Sequence, residues 1–284
     1  LKCGFVNICG LRSKLKSPDF EEYLHTKDIL AIAETKLDRY DKIDLPGYKI
    51  YRSDRKNARR PSGGVAVLVR NEICKYVKFI ETDLDFLLYF VIEKALIGTD
   101  QDVLCCVVYI PPENSDYSNI NMFEAMEEDF INVHNDEFVC FMGDFNARTK
   151  DLSDLLGMDA DILDSLELDD HLKEKILEEN ILDELGFSLN RNSQDNTVNN
   201  YGYRILELCK NTGVCMLNGR ISKDCMGNTT CDNKSVVDYI MCSPKLFPFV
   251  SKFEVDVFNG NLSDKHNALS LSLNVIDEKL VNPD

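Results

Sequence analysis

Short runs of Val, Ile, Leu, Phe and Tyr recur along the chain, at 5–9, 29–33, 48–52, 64–69, 87–92, 103–110, 138–142, 214–217, 236–241 and 268–275. Runs this short, enriched in β-branched and aromatic residues, predict strands rather than helices. Between them, 19–24, 122–134 and 201–212 carry the 3.6-residue period of amphipathic helices. The first follows Ser17-Pro18, a cap with a first-turn proline, and Gly213 stops the last. Strand-like runs continue on both sides of a polar stretch at 151–196, and no linker rich in Pro, Gly or Ser divides the chain. A single domain over 1–276 is therefore expected, with a polar tail at 277–284. The 151–196 stretch reads as a surface insertion with amphipathic helices at 152–156 and 170–185, too polar to add much core.

Charge sharpens this picture. The 284 residues hold 49 acidic and 32 basic side chains, net -17. Of these, 151–196 holds 14 acidic and 3 basic, net -11, so the rest of the chain carries only -6. No long-range field draws such a molecule to a polyanion, and any nucleic-acid contact has to be local. Two clusters offer one: Arg12, Lys14 and Lys16, and the group Arg52, Arg55, Lys56, Arg59 and Arg60 between two strand-like runs.

Most of the eleven cysteines lie inside apolar runs, as Cys105, Cys106, Cys140, Cys215 and Cys242 do, where the residue serves as a small hydrophobe. The odd count, the absence of CxxC pairs and the absence of a signal-peptide pattern predict free thiols in a reducing, intracellular compartment, nuclear or cytoplasmic. No apolar run approaches the roughly 18 residues needed to span a bilayer, so no membrane partner is expected. Strand-like sequence begins almost at Leu1, which reads as a piece of a longer polypeptide.

Polar residues fall at telling places. Asn7, Glu34, Tyr109, Asp144 with Asn146, and Asp238 each sit within or at the end of an apolar run, and Asp264 with His266 immediately precedes one. Groups at strand ends on one rim of packed sheets can converge on a single cleft. Taken singly, each also has a plain structural reading: a turn carboxylate for Glu34, a core phenol for Tyr109, an Asx turn for Asp144 and Asn146. Asp238, inside Val236-Val237-Asp238-Tyr239-Ile240, is harder to dismiss, because an unpaired carboxylate in an apolar strand is costly. Together these are the parts of a metal-assisted phosphodiester hydrolase: carboxylates for a divalent ion, an amide to orient, and an imidazole to donate.

The motifs carry a resemblance. Asn7 with Gly10, Ala33-Glu34-Thr35-Lys36, Gly63-Gly64-Val65-Ala66-Val67, Tyr109 with Pro111, Gly143-Asp144-Phe145-Asn146-Ala147-Arg148, Ser235-Val236-Val237-Asp238-Tyr239 and Ser263-Asp264-Lys265-His266 follow in the order seen in the endonuclease/exonuclease/phosphatase superfamily. Within it, the wording around Asn218-Gly219-Arg220 and at 235–240 is similar to the apurinic-type endonuclease domain of non-LTR (LINE-type) retrotransposons. The resemblance spans residues 3–275. It implies an α/β fold of the DNase I-like kind, a four-layer sandwich of two mostly antiparallel β-sheets flanked by helices.

It further implies a Mg²⁺- or Mn²⁺-dependent endonuclease nicking one strand of DNA, in a parent polypeptide that carries a reverse transcriptase region. Glu34 and Asn7 would hold the metal, and Asp144 would orient or deprotonate the attacking water. Asn146 would hold the scissile phosphate or the nucleophile, and Tyr109 would contact a phosphate oxygen or the leaving group. Asp264 would pair with His266, facing the phosphoryl oxygen, with Asp238 in support. Arg55, Lys56, Arg59, Arg60, Arg148 and Ser235 are the expected substrate contacts. Here Lys265 separates an Asp and a His that are adjacent in the usual motif. In an extended strand that insertion sends the two side chains to opposite faces, so a turn or bulge has to bring them back together. Two alternatives remain open: an abasic-site, phosphoinositide or other phosphoester hydrolase of the same fold, and a decayed copy acting as a binding module.

Overall fold

The protein is described by a computed structural model covering residues 1–56, 59–135, 138–157 and 170–275. Its strands are β1 (Lys2–Asn7), β2 (Ile29–Ala33), β3 (Tyr48–Ser53), β4 (Val65–Arg70), β5 (Val77–Ile80), β6 (Leu87–Ile92), β7 (Val103–Tyr109), β8 (Phe138–Asp144), β9 (Cys215–Met216), β10 (Asp238–Cys242), β11 (Val250–Val255) and β12 (Leu269–Leu273). They form two six-stranded sheets, ordered β11-β12-β1-β2-β4-β3 and β5-β6-β7-β8-β10-β9. Each sheet has one parallel pair at its centre, β1 with β2 and β7 with β8, and antiparallel pairs elsewhere.

The two-residue period of the central strands explains the layers. In β2, Ile29, Ala31 and Ala33 face the other sheet, where they share a core with Val103, Cys105 and Val107 of β7 and Cys140 and Met142 of β8. The alternate residues Leu30 and Ile32 pack outward with Phe20 and Leu24 of a helix, α2 (Pro18–His25), which follows the short α1 (Leu11–Lys14). On the second sheet, past the short α3 (Lys94–Ile97), Leu104, Cys106 and Val108 pack outward. They meet Phe123, Met126 and Phe130 of α4 (Met122–Val133) and residues of a later helix, Ile205 and Cys209. Central strands buried on both faces give continuous apolar runs, and helices cover both outer surfaces. Fully burying one such side chain contributes about 1.5–3 kcal/mol.

The polar stretch departs from expectation. Residues 158–169 lie outside the described region, and 152–156 is not helical. A helix, α5 (Asp170–Glu184), forms where 170–185 predicted one. Yet Leu155 and Leu182 belong to the core between the sheets, and Ile176 is fully buried. Asp154 is buried and receives two hydrogen bonds from the equally buried Arg220, at 2.7 and 3.0 Å, and one from the Met216 backbone at 2.7 Å. This stretch therefore fastens β9 in place, contrary to its reading as a surface insertion with little core.

Helix α6 (Asn200–Thr212) is capped as its sequence suggests: Asn199 accepts from Gly202 N at 2.8 Å, and Gly213 closes it in the left-handed region. Ser17 makes no side-chain cap bond to α2, so Pro18 alone sets that start. The strands that the pattern did not predict, β5 and β11, are both sheet edges with one partner and partly exposed faces, which dilutes their apolar signal. All eleven cysteines are free. Among the described residues no helix is long and apolar enough to cross a membrane. The tail at 277–284 lies outside the described residues.

Candidate active site

Parallel neighbours end together, and here both parallel pairs end on one rim. Asn7 is the last residue of β1, in register with Ala33, so Glu34 follows immediately beside it. Tyr109 ends β7 in register with Asp144 at the end of β8, and Asp144 is in turn paired with Asp238 at the start of β10. The last component comes from a turn. Ser263 Oγ accepts from His266 N at 3.1 Å and donates to the Asn7 carbonyl at 2.6 Å, which hangs the 263–266 segment on the end of β1.

The side chains then connect into one network around a cleft of about 570 Å³ lined by Glu34, Asp144, Asn146, Asp264 and His266 among others. Asn7 Nδ2 donates to Asp144 Oδ2 at 2.8 Å and to Glu34 Oε1 at 3.1 Å. Tyr109 Oη donates to the same Glu34 oxygen at 3.0 Å, and Lys36 Nζ pairs with Glu34 Oε2 at 2.9 Å. On the other side, His266 Nδ1 lies 2.8 Å from Asp238 Oδ2, and its Nε2 lies 4.0 Å from Asp144 Oδ2. Asn146 is fixed at both ends: its backbone N donates to Asp144 Oδ1 at 2.9 Å and its Nδ2 to the Ile110 carbonyl at 2.8 Å.

Burial and neighbouring charge set the ionisation of these groups. Burial raises Glu34, but the Lys36 ammonium and the Asn7 amide outweigh it and hold the carboxyl below its ordinary value. Asp144 is pushed up to about 7 by burial and then by the Asp238 carboxylate, against the pull of His266 and Asn7. Burial opposes charge on His266, yet Asp238 on Nδ1 outweighs it and raises the imidazole above its ordinary value. Tyr109 is raised by burial and by the Glu34 and Asp144 carboxylates, so it stays a neutral donor.

The backbone is bent to make this cleft. Cys9, Glu34, Lys36 and Asn146, all of which line it, have φ of 55, 51, 51 and 48°. Non-glycine residues held there cost roughly 1–3 kcal/mol each and persist where surrounding structure fixes them, commonly at functional sites. Gly143 has its own reason: a Cβ there would stand 2.5 Å from the Val108 carbonyl. The strand can thus lie close enough to β7 to align Asp144 with Tyr109.

The sequence-predicted residues divide into those brought together and those used elsewhere. Glu34, Asp144, Asn146, Asp238 and His266 converge. Asn7 and Tyr109 also converge, but as supports: the Asn7 oxygen accepts from Cys9 N at 3.1 Å and its amide bridges two carboxylates, while the Tyr109 hydroxyl is spent on Glu34. The pairing of Asp264 with His266 is corrected. Residues 264 and 265 form a bend rather than extended strand, and Asp264 Oδ1 instead meets Lys14 Nζ at 2.7 Å, leaving Asp238 as the imidazole's partner. Asp264 still lines the cleft, as do Ser235 and Lys265.

Of the basic residues, Arg148 lines the cleft but is bound through Nε and Nη2 to buried Asp195, at 2.8 and 2.6 Å. Lys56 is tied to the 83–85 segment through Asp85 Oδ2 and the Asp83 carbonyl. Arg12 pairs with Asp38 and Asp41. Arg55 lies over the rings of Tyr109 and Tyr117, 5.6 and 4.7 Å from their centroids, and Arg59 and Arg60 are exposed. Sequence reasoning assigned no role to Lys36, although it closes the Ala33-Glu34-Thr35-Lys36 motif, nor to Cys9, Cys231 and Asn199, which carry no local signal.

A divalent cation suits the Glu34 side of the cleft. Glu34 already holds a cation, the Lys36 ammonium, and Asp264 adds a second carboxylate to the same cleft. One or two carboxylates with room for water is the donor set that Mg²⁺ takes. One oxygen of Asp144, one of Asp238 and a nitrogen of His266 also lie within 4.8 Å of one another, a buried second cluster.

Residues 5–264 match the sequence model of the endonuclease/exonuclease/phosphatase family. No curated protein matches by sequence. Among solved structures, the endonuclease domain of TRAS1, a telomere-specific non-LTR retrotransposon, is similar at TM-score 0.58 and 14% identity, with 97% of this chain and 99% of that one covered. An AP endonuclease from Archaeoglobus fulgidus aligns at TM-score 0.58 and 16% identity, covering 97% and 100%. A 3′ phosphatase from Neisseria, bound to a product DNA hairpin, aligns at 0.57 and 16%, covering 96% and 99%. With two mixed sheets flanked by helices and a family match over nearly its whole length, this chain belongs to the endonuclease/exonuclease/phosphatase family.

Proposed function

We propose that the chain is a divalent-metal-dependent phosphodiesterase that nicks one strand of DNA, with Mg²⁺ or Mn²⁺ held at Glu34 and Asp264. The observation that carries this reading is the line of side chains from Asp238 through His266 to Asp144, joined by Asn7 to Glu34 in one cleft. Asp144, as carboxylate, accepts the proton of the attacking water. His266, clamped and kept protonated by Asp238, donates from Nε2 to the phosphoryl oxygen on which charge develops. Asn146, fixed by Ile110, orients the nucleophile or phosphate, and Asn7 and Tyr109 keep the Glu34 carboxylate in place. When bound, the cation neutralises charge on the phosphate and makes water a better nucleophile. Arg55, Arg59 and Arg60 give the local phosphate contacts that an acidic protein needs. The similarity to a retrotransposon endonuclease favours a nick handed to a reverse transcriptase region of a longer polypeptide.

The test is conversion of supercoiled plasmid to open circles by the purified chain. Product is expected with Mg²⁺ and none with EDTA or with His266→Ala. A chain that leaves plasmid intact with either Mg²⁺ or Mn²⁺ is not this enzyme. Cleavage confined to abasic or 3′-phosphorylated DNA would select the narrower activities of the other similar structures.

A further inference from the structure

Two helices on the outer face of the second sheet enclose a groove that the proposed reaction does not use. There α4 and α6 lie side by side, with the Phe123 and Tyr201 rings edge to face at a centroid separation of 5.3 Å. From α4 the groove is lined by Glu124, Glu127, Glu128 and Ile131, and from α6 by Arg204, Glu207, Leu208 and Asn211. Both sets have the spacing i, i+3, i+4, i+7, so each helix gives the groove one continuous stripe over roughly 10 Å of its length. The cavity between them holds about 320 Å³. A neighbouring cavity of about 540 Å³ shares Glu127, Ile131 and Asn211 with it and extends the groove to Phe130, His134 and Lys175.

The groove is apolar at its floor and acidic along its sides. Phe123, Phe130 and Leu208 are buried, whereas Ile131 beside them is 67% exposed. A solitary surface hydrophobe needs no explanation, but Ile131 stands where two cavities join, against a buried apolar floor. Charge narrows the occupant. Glu124 and Glu207 share the Arg204 guanidinium at 3.8 and 3.0 Å, and Glu127 accepts from Asn211 Nδ2 at 3.1 Å. Glu128 is exposed and pairs with no cation among the described residues. Four carboxylates thus face two cations, Arg204 and Lys175, with His134 the other titratable group. Such a surface complements an amphipathic helix that carries Lys or Arg beside an apolar stripe. It also lies clear of the active cleft: Asn199, which lines the cleft, precedes Arg204 to Asn211 on α6, so the groove runs from roughly 8 to roughly 18 Å further along that helix.

We propose that the groove between α4 and α6 is a docking site for a basic amphipathic helical segment of a partner protein. Ile131 seats against the segment's apolar stripe, and Glu124, Glu127 and Glu128 meet its Lys or Arg side chains. No residue of the cleft takes part, so the docking site stands independently of the cleavage reading.

The test is fluorescence anisotropy of a labelled peptide of about 15 residues, leucine and lysine in amphipathic helical order, titrated with the purified full chain. Saturable binding of one peptide per chain is expected. Glu124→Lys with Glu128→Lys should raise Kd at least about tenfold, whereas Glu21→Lys with Glu22→Lys, the same charge change at exposed positions of α2, should leave it within about twofold. Ile131→Ser should raise Kd at least about fivefold, and should still do so at high salt, where exposed charges are screened. Circular dichroism melting checks that each variant is folded. Equal weakening by the α2 and α4 replacements would reduce the binding to the chain's acidic total and overturn the proposal. So would the absence of saturable binding, or equal affinity for a peptide with glutamate in place of lysine. Sedimentation showing that the chain pairs with itself, and that Ile131→Ser makes it monomeric, would give the groove to a second copy and equally overturn it. None of these measurements uses DNA, so a chain that docks the peptide but cuts no plasmid keeps the groove and loses only the cleavage reading.

Discussion

Glu34 and Asp144 accept hydrogen bonds from the same amide, Asn7 Nδ2, yet their surroundings drive them in opposite directions. Glu34 stands at the end of the first sheet, partly open, with an ammonium on one oxygen and a phenol on the other, and its carboxyl is held below its ordinary value. Asp144 stands at the end of the second sheet, buried, with a second carboxylate across the strand, and is raised to about 7. Two carboxyl groups joined through one amide thus divide the work: one stays ionised and suits a cation, while the other is poised to exchange a proton near neutrality. The two sheets repeat one strand pattern, so the difference arises at their ends, from Lys36 on one side and Asp238 on the other.

The strongest test of this division is to remove the proton-exchanging half. Asp144→Asn and His266→Ala are each expected to lower the nicking rate by about 10²- to 10⁴-fold. A loss of only a few-fold in either would remove that residue from the chemistry. Asp238→Asn is expected to lower the rate by roughly 10²-fold, the scale on which oriented partners act, through the position and charge of His266. Its signature is in the pH profile. Asp238 raises the imidazole, so its loss lowers that pKa and moves the alkaline limb of kcat/KM to lower pH. A residue with a purely structural role would reduce the rate and leave the limb where it was.

The other half is probed by Glu34→Gln. This keeps the shape that Asn7 and Tyr109 hold but removes the negative charge, so the Mg²⁺ concentration giving half-maximal rate should rise by at least about tenfold. Calorimetry showing unchanged Mg²⁺ affinity would shift the cation site away from Glu34.

How much of this contrast can be read from sequence follows from the range of the forces involved. Strand ends are local: apolar runs that stop at Asn7, Glu34, Tyr109 and Asp144 announce where a sheet ends, and a carboxylate within an apolar strand, Asp238, announces a buried partner. Which partner is not local. His266 is reached by Asp238 across 28 residues, whereas the nearer Asp264 pairs with Lys14, 250 residues away, because 264–265 form a bend rather than extended strand. Which end of the Asn7 amide faces the carboxylates is likewise settled only when Cys9 N takes its oxygen. The polar stretch misled for a related reason. Its net -11 masks Leu155, Ile176 and Leu182, which are buried, and Asp154, whose charge is answered by Arg220 from a distant segment. Edge strands β5 and β11 escape notice because half their surface faces outward.

A smaller effect separates the two carboxylates by titration. In metal-free protein the folded state holds the Asp144 proton up to about pH 7, while its ordinary value is 3.8. A raised carboxyl stabilises the fold fully below the unfolded pKa, and that contribution is lost as pH rises through about 7. Glu34 has the opposite sign, contributing above its unfolded value and losing that contribution as pH falls through its depressed one. Urea midpoints followed from pH 4 to 8 should therefore decline less steeply in Asp144→Asn than in the parent. An identical decline would mean that the proton is not held there. The nicking rate should fall about tenfold per unit below pH 7 for the same reason, since only the carboxylate accepts a proton.

The smallest effect concerns Arg55, a cationic side chain stacked beside the cleft. Arg55 lies over the Tyr109 ring, whose hydroxyl holds Glu34, and also over the Tyr117 ring. A guanidinium stacked on aromatic faces is held in place yet keeps its charge for phosphate. Among the described residues, exposed Arg59 and Arg60 stack on no ring, and Lys56 is committed to Asp83 and Asp85. Arg55→Ala should thus weaken duplex binding by a few-fold and reduce the slope of log affinity against log salt by about 0.9, the value of one phosphate contact. Arg59→Ala and Arg60→Ala should each change binding less, because an exposed side chain not held on a ring loses more entropy on docking. Equal effects at the three positions would make the loop a diffuse positive surface, and the stacked Arg55 would then contribute no more than its charge.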